Sequence, residues 1–442
     1  MTIHRLSRGS LQRMRDVVAL AAGAWLFAGC TEFLTADNPG AIQETDVNSP
    51  AYVGLIANGP IFAFQLAYTD ATYWNAQFTD ELFNRATFLE EGQIDRRELF
   101  ADMTYINAFI YGPLQRARFL GEDAARRLKV VLADSAASDL RVARALAYAG
   151  YSYIYLGETM CVTPIDIGVP KTSPEIMADA ITRFNEAITI GQAARSALQS
   201  QTPVNTNAVL SADSVINFAR VGAARAALNR NDRAAAISFA TAVPTTFDFR
   251  AYYTDNTTGQ QNRVFNRLQL GSNAWMLNTP FNDMAGDPRV PRLTTPASRA
   301  TTPLSPSSYS TFSNTVAGAP FVPVMSVRIA SGLEARYIIA EAQGPTAATA
   351  TFVNERRAAG LQAPVSVSGD ALMAELRDQR SRDFYLDGHR LGDLRRYKQY
   401  YNVDLFPKGP YPGSTTGGVY NESVTCWPLS TSEINGNPNV PR

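Results

Sequence analysis

The sequence predicts a mainly α-helical protein in which paired helices form a scaffold, beside a loop-rich second part with few short strands. Three observations support this fold class. Through residues 101–244, apolar side chains recur at i, i+3, i+4 and i+7 spacing, which is the period of an amphipathic helix. Over residues 245–330 this period disappears, and Gly, Asn, Thr, Ser and Pro accumulate. From residue 331 helical spacing returns, before an irregular tail that is rich in Pro and Gly.

Residues 101–244 contain the clearest predicted helices. One runs from Tyr105 towards Phe119, the next from Asp139 to Gly157, and a third starts at Ser173 as N-cap, followed by Pro at the first helical position. A further pair begins with Asp213–Leu228. The pattern is typical of tetratricopeptide-like helix pairs without a full consensus repeat. Small residues on the contact faces would let such helices approach closely: Ala143, Ala147, Gly150, Ala219, Gly222, Ala223 and Ala226.

Outside this scaffold, helical spacing also marks Pro50–Gln65 and, later, three stretches near residues 333–342, 345–359 and 370–386. Residues 294–320 are especially rich in Thr, Ser and Pro. Loops of that length are usually functional or disordered, so we expect residues 245–330 to form a ligand-facing insertion.

The first thirty residues carry the features of a lipoprotein signal peptide. Arginines precede an apolar run from Val17 to Ala28, and Ala28-Gly29 stand directly before Cys30. The run is shorter than the roughly 20 residues that a membrane-spanning helix needs. We therefore predict a signal peptide over residues 1–29, a lipid on Cys30 and a polar tether over residues 30–50. The alternative is an ordinary secretory signal with an incidental Cys, since Phe27 is bulkier than usual at its position.

Net charge, apolar segments and cysteine count limit the kinds of partner and environment that the protein can have. Without residues 1–29, which hold four Arg and one Asp, 36 basic residues face 39 acidic ones, a net charge of −3. Nucleic-acid binding needs clustered positive charge, so we expect no nucleic-acid partner. We also expect no second apolar segment long enough to span a bilayer. Cys161 and Cys426 permit one disulfide in an oxidising compartment, and two buried free thiols are the alternative.

Several segments resemble the SusD/RagB family. Residues 376–400 read LRDQRSRDFYLDGHRLGDLRRYKQY and are similar to its C-terminal hallmark of a charged helix, an acidic residue with Gly, and an Asp-Leu-Arg-Arg run. Asp383 and Asp387 stand where the family more often has Glu. Further similar segments follow the family's order: Asp287-Pro288-Arg289, Arg336-Tyr337-Ile338, Ala340-Glu341-Ala342, Ala358-Ala359-Gly360-Leu361 and Trp427-Pro428-Leu429-Ser430.

The resemblance implies a single SusD-like body over residues 51–442, with residues 331–442 as its C-terminal part. It also implies a surface-exposed outer-membrane lipoprotein that captures a nutrient, a glycan or a peptide, and delivers it to a TonB-dependent barrel of the SusC type. A helical-repeat scaffold of the envelope is the first alternative, and a surface glycoside hydrolase is the second.

We interpret the hallmark as a structural network. Arg380 and Asp383 stand three residues apart, and Asp383 and Asp387 four apart, so we expect one shared helix face. Gly388 would end the helix, and Asp393 would accept from nearby arginines. The other members of the predicted structural motif are Asp287, Arg289, Arg390 and Arg395.

The sequence argues against an enzyme. His389 is the only His after residue 29, and no CxxC, HExxH or phosphate-binding Gly loop is present. Adjacent carboxylates occur at Asp80-Glu81 and Glu90-Glu91, but a chain this acidic contains such pairs by chance. We predict no cofactor and no metal site; loop carboxylates leave a structural calcium ion open, although no loop has EF-hand spacing.

Aromatic residues in loops are the candidates for ligand contact, because an exposed ring beside Asn or Asp suits a sugar. Tyr73-Trp74-Asn75 is predicted to follow the first helix, and each ring could instead pack in the core. The remaining candidates lie in the loop-rich part: Tyr252, Tyr253, Trp275, Tyr309 and Phe312.

Overall fold

A computed structural model describes residues 47–271, 273–284, 286–293, 303–311, 314–315, 318–412 and 418–441. The predicted signal peptide, Cys30 and most of the tether lie outside these residues, as do Phe312 and about half of the Thr/Ser/Pro-rich stretch. The chain divides into a segment up to Ser49 and a compact unit from Pro50 to Arg442. The description below concerns the second unit.

The mainly α-helical class is confirmed. The described residues contain thirteen α-helices: α1 Val53–Phe78, α2 Leu89–Asp95, α3 Gly112–Leu132, α4 Leu140–Thr159, α5 Ser173–Gln199, α6 Thr206–Asn229, α7 Arg233–Thr241, α8 Arg263–Phe265, α9 Gly332–Gln343, α10 Ala347–Ala359, α11 Gly369–Asp383, α12 Arg390–Tyr401 and α13 Thr431–Gly436. They also contain eight short strands: β1 Phe83–Asn84, β2 Thr163–Pro164, β3 Pro170–Lys171, β4 Asp248–Ala251, β5 Ala274–Trp275, β6 Tyr309–Thr311, β7 Asn314–Thr315 and β8 Ser326–Ser331.

Helices α3 to α7 form the scaffold, each packed on the next along the chain. Small residues permit this close packing, as the sequence predicts. The Phe184 ring of α5 lies against Gly150 of α4 and Gly222 of α6. A Cβ atom would come within 2.6 Å of that ring at Gly150 and within 2.3 Å at Gly222. Both positions therefore require glycine, and Phe184 joins three consecutive helices.

Local capping explains where the scaffold helices begin. The Asp139 carboxylate accepts from the Arg141 N–H at 2.8 Å at the start of α4. At the start of α5 the cap is Thr172, one residue before the predicted Ser173, and the Thr172 N–H donates to the Glu175 carboxylate at 2.7 Å. This reciprocal arrangement explains the shift, because Glu175 stands three residues after Thr172.

Helix α1 is longer than predicted. The sequence favours a helix from Pro50 to Gln65, whereas α1 continues to Phe78 and includes Tyr73-Trp74-Asn75. By length and composition it could also cross a membrane, which corrects the expectation that no second segment is long enough. Here it serves as a core helix: Phe64, Tyr68 and Trp74 are fully buried. A helix buried on most sides lacks the one-sided pattern by which helix ends are predicted.

The loop-rich part contains most of the strands. Strands β4, β8, β6 and β7 form a four-stranded antiparallel sheet in that order, and β1 pairs with β5, with Phe83 opposite Trp275. Strand β1 directly follows α1 in the chain. The β1–β5 ribbon therefore brings the end of the core helix next to the loop-rich part.

A disulfide joins Cys161, just after α4, to Cys426 in the C-terminal tail. Backbone hydrogen bonds flank it: the Cys161 N–H donates to the Trp427 carbonyl at 2.9 Å, and the Trp427 N–H donates to the Thr159 carbonyl at 2.9 Å. The bridge and these bonds hold the tail against the scaffold.

We expect Gly222→Ala to lower the free energy of unfolding by about 1–3 kcal/mol, because the added Cβ would displace the Phe184 ring in a close-packed core. Urea unfolding monitored by circular dichroism measures this. Gly54→Ala in α1 is the matched control, since no heavy atom lies within 4 Å of its added Cβ. Equal stability of Gly222→Ala and the unchanged protein would contradict the packing argument.

Candidate ligand-binding site

The Tyr73-Trp74-Asn75 prediction is corrected by the structure. All three residues lie inside α1 and are buried. The Asn75 amide is a structural link, because Asn75 Nδ2 donates to Thr159 Oγ1 at 3.0 Å and Asn75 Oδ1 accepts from Trp427 Nε1 at 3.0 Å. None of the three offers a ring face or amide to solvent.

Two further candidates are also core residues. The Tyr253 hydroxyl donates to the Gln65 carbonyl at 2.7 Å, and the Tyr309 hydroxyl, on strand β6, donates to the Leu386 carbonyl at 2.6 Å. Both rings are buried. Tyr252, in contrast, is 55% exposed and lines a small separate cavity of about 130 Å³.

Trp275 is the predicted residue that the structure places in a larger aromatic site. A cavity of about 540 Å³ lies beside the β1–β5 ribbon, and we call it the aromatic groove. The Phe88 ring at its edge is 61% exposed. The groove also contains polar side chains suited to hydroxyl groups. Its principal lining residues are Asn84, Phe88, Arg96, Trp275, Asn278 and Tyr411.

The rings of the groove are held by neighbouring side chains. The Arg85 guanidinium lies 5.3 Å from the centre of the Trp275 ring. Tyr411 stacks on Phe83 with ring centres 5.0 Å apart, and the Arg96 guanidinium lies 5.6 Å from the Tyr411 ring. These contacts fix the aromatic faces before any ligand arrives.

A buried carboxyl group positions Tyr411. Asp95 accepts from the Asn84 N–H at 2.9 Å and also from the Tyr411 hydroxyl. Burial raises the pKa of Asp95 to about 7, although the hydrogen bonds from Tyr411 and Asn84 oppose the shift. The protonation state of Asp95 is therefore coupled to the wall of the groove.

A second and larger cavity, of about 780 Å³, lies between α1, α3 and the helical turns that begin at Arg263. We call it the charged cavity. Trp74 lies beneath it: its ring stacks on Phe109 at 5.5 Å, and the Arg267 guanidinium lies 4.8 Å from its centre. The Tyr73–Asn75 stretch is thus near a cavity without lining it. Arg263 and Arg267 were not predicted, although their spacing of four residues favours one helix face.

The hallmark residues form a buried network, and three details differ from the prediction. Arg380 Nε donates to Asp393 at 2.7 Å, so its partner is Asp393 and not Asp383. Helix α11 ends at Asp383, which places Asp387 beyond the helix and off its face. Gly388 is not the helix stop. It has a φ of +83° in the connection to α12, where a Cβ would meet Thr72 Oγ1 at 2.8 Å.

The other motif residues also make structural contacts. Arg289 bonds Asp287 at 2.8 Å, and Arg390 bonds Asp80 at 2.5 Å. Arg395 donates to the Glu158 carbonyl at 2.7 Å. The network therefore joins segments that are far apart in the chain.

The paired carboxylates serve the fold in the same way. Asp80 pairs with Arg390, and Glu81 accepts from the Leu386 N–H at 2.8 Å. Glu90 accepts from the Tyr105 N–H at 3.0 Å, which holds the start of the next helical segment. Within the described parts of the chain, no three His, Cys, Asp or Glu side chains cluster as a metal site would require.

We expect the pH dependence of the unfolding free energy to reflect the protonation of Asp95. Its folded pKa is raised, so its stabilising contribution is complete below about pH 4, the pKa of an unfolded Asp, and is lost as pH rises through about 7. Asp95→Asn keeps a hydrogen-bond acceptor without the charge. The unfolding free energy of the variant should therefore fall less than that of the unchanged protein between pH 4 and pH 7, as measured by urea unfolding. The exposed Asp134→Asn controls for the substitution itself, and parallel curves for Asp95→Asn and the unchanged protein would refute the coupling.

Solved structures resemble this chain over most of its length. A SusD superfamily protein from Bacteroides fragilis has a TM-score of 0.62 at 15% identity, covering 89% of this chain and 99% of that one. A SusD-like carbohydrate binding protein from the same species has a TM-score of 0.60 at 14% identity, covering 89% and 99%. A laminarin binding SusD-like protein has a TM-score of 0.61 at 12% identity, covering 89% and 98%.

Comparisons at the level of sequence find less. No protein-family model matches the chain, and no curated protein matches it. At 12–15% identity the structural likeness establishes the fold. The chain has the fold of the SusD superfamily.

Proposed function

We propose that this protein binds an oligosaccharide in the aromatic groove and acts as a nutrient-capturing lipoprotein of the outer membrane. In this proposal, a lipid on Cys30 anchors the chain at the cell surface. The bound glycan passes to a partner TonB-dependent barrel of the SusC type, and the protein itself catalyses no reaction.

One observation carries the glycan assignment: one exposed and two partly buried aromatic rings lie beside amide and guanidinium groups in one groove. The rings of Phe88, Trp275 and Tyr411 can cover the apolar faces of sugar rings, while Asn278 and Arg96 can bond hydroxyl groups. Structural neighbours named as a laminarin binding protein and a carbohydrate binding protein support the same ligand class.

Two features support a binding protein over a hydrolase. The adjacent carboxylates considered as a catalytic pair are engaged in hydrogen bonds and ion pairs of the core. His389 is buried between Asp387, at 2.7 Å, and Glu334, at 3.1 Å. None of these groups lines the aromatic groove.

The transport step is supported by the fold together with the predicted lipobox. Leu26-Phe27-Ala28-Gly29-Cys30 predicts lipidation, and the SusD-like fold suits a partner of a TonB-dependent barrel through the resemblance described above. A binding protein tethered by lipid beside such a barrel would raise the local ligand concentration at its entrance.

We expect Trp275→Ala and Phe88→Ala each to weaken oligosaccharide binding by roughly tenfold, about 1.4 kcal/mol, because each removes one stacking face. A panel of laminarin, malto-, cello-, xylo- and mannooligosaccharides identifies the tightest ligand, and calorimetry measures the affinities. Phe88 supports little of the core, so its variant tests binding without unfolding.

Phe100→Ala is the matched control, because Phe100 is 55% exposed and is not among the lining residues of the groove. Its affinity should equal that of the unchanged protein. If both groove variants retain full affinity for every ligand of the panel, the aromatic groove is not the glycan site.

We expect a TonB-dependent barrel to co-purify in near-equal amount when the tagged lipoprotein is extracted from outer membranes in mild detergent. Mass spectrometry identifies and quantifies the partner. A chain with Cys30→Ser, which cannot receive the lipid, is the control for membrane anchoring. Repeated absence of a barrel would overturn the transport step and favour an envelope scaffold.

A further inference from the structure

Three arginines line the charged cavity: Arg116, Arg263 and Arg267. They come from two separate parts of the chain and face a common space between α1 and α3. The Arg267 guanidinium lies against two rings that stack on each other, 4.8 Å from the centre of Trp74 and 4.9 Å from that of Phe109. This stacking orients its donors in advance, so little freedom would be lost on binding an anion.

The carboxylates near these arginines neutralise the positive charge of the guanidinium groups only weakly. Arg263 Nε lies 3.8 Å from Asp70, and the nearest Arg267 nitrogen lies 3.9 Å from Glu91. Both separations exceed hydrogen-bond distance. Arg116 is exposed at the cavity edge. With Asp70 and Glu91 both ionised, the three guanidinium groups still leave one positive charge in excess.

Burial also favours the neutral form of the two carboxyl groups, which reduces the negative charge that faces the arginines. It raises the pKa of Asp70 to about 6, against the influence of Arg263 and Arg267, and it also raises the pKa of Glu91. Part of the Asp70 population is therefore neutral near pH 6, which increases the positive charge of the cavity.

Two buried polar atoms in the wall lack hydrogen-bond partners within the described part of the chain: Arg263 Nε and Asn266 Oδ1. Buried donors and acceptors are normally paired, because burial removes their hydrogen bonds to water. One is a charged donor and the other a neutral acceptor. Both atoms are covered by protein, so these side chains would turn towards the cavity to pair with the carboxylate and a neighbouring hydroxyl group of a ligand.

The rest of the wall suits a sugar ring. Phe62 is half exposed at the cavity, and Leu66 and Pro113 extend the apolar surface. Asn107 and Asn273 add amide groups for hydroxyls. Apolar faces, amides and an excess of guanidinium groups together match a pyranose that carries a carboxylate.

We propose that the charged cavity binds a uronic-acid residue, so that the glycan recognised by this protein is an acidic oligosaccharide. This inference rests on the proposed glycan-binding function and narrows its ligand class. The carboxylate would lie among Arg116, Arg263 and Arg267, with Asn266 Oδ1 accepting from a hydroxyl group.

The test is calorimetry with oligogalacturonate, oligomannuronate and oligoglucuronate, each compared with its own methyl ester. Esterification removes the negative charge and leaves the sugar ring in place. At least one acid should bind tenfold or more tightly than its ester, and the difference should shrink as the NaCl concentration rises.

Two variants locate the effect. Arg116→Gln and Arg263→Gln should each lower affinity for the acid by about tenfold and leave affinity for the ester unchanged. Arg116 is exposed, so its variant remains informative if Arg263→Gln folds poorly. Arg230→Gln is the matched control, because Arg230 is exposed in the turn between α6 and α7 and is not among the cavity's lining residues.

The outcomes separate this inference from the proposed function. If neutral oligosaccharides bind and no acid binds better than its ester, the acidic ligand class is overturned while glycan binding stands. If an acid binds better but the Arg116 and Arg263 variants behave as Arg230→Gln does, the charged cavity is the wrong site. If no oligosaccharide of either kind binds, the glycan function fails and this inference fails with it.

Discussion

A buried network of ion pairs and hydrogen bonds holds the scaffold to the C-terminal helices, and the rest of the structure depends on it. The Arg225 guanidinium of α6 donates to the Glu158 carboxylate of α4 at 2.6 Å. Arg396 of α12 then bonds Asn229 at 2.8 Å and Glu341 at 2.7 Å. Removing one partner of such a pair leaves an uncompensated buried charge, which costs about 3–5 kcal/mol. The Arg396–Asn229 hydrogen bond joins the two ion pairs, so the two regions are expected to fold together.

This constraint also positions the candidate site. Arg390, at the start of α12, pairs with Asp80 just after α1, and the chain then passes directly into β1. Strand β1 presents Asn84 to the aromatic groove, and Asp95 behind it bonds both the Asn84 N–H and Tyr411. The groove is thus built on segments that the core already fixes. A preformed aromatic surface loses little conformational entropy when a ligand binds, which favours capture.

The sequence could predict the scaffold because its helices begin at recognisable capping residues, such as Asp139, and carry small residues where they meet, such as Gly150 and Gly222. It could not predict the end of α1, since that helix is buried on most sides and hides Trp74 in the core. Gly388 was assigned to a helix end, but its φ of +83° serves the approach of Thr72, a contact between distant segments. Trp275 was predicted because it lies in a polar loop. Its partners Phe88 and Tyr411 were not, because only the folded β1–β5 ribbon and the tail bring them together.

The distance from each arginine to its nearest carboxylate separates the arginines that stabilise the core from those proposed to bind a ligand. Three arginines each bond a buried carboxylate at 2.6–2.7 Å: Arg225, Arg380 and Arg396. Their charges are neutralised within the core and stabilise the fold. Arg263 and Arg267 have their nearest carboxylates at 3.8 and 3.9 Å. Burying part of a cation costs desolvation free energy, and without a close counter-charge no ion pair offsets that cost in the unliganded protein. An anionic ligand would supply the missing counter-charge, so the same physical rule that explains the core supports the proposal that the charged cavity binds an anion.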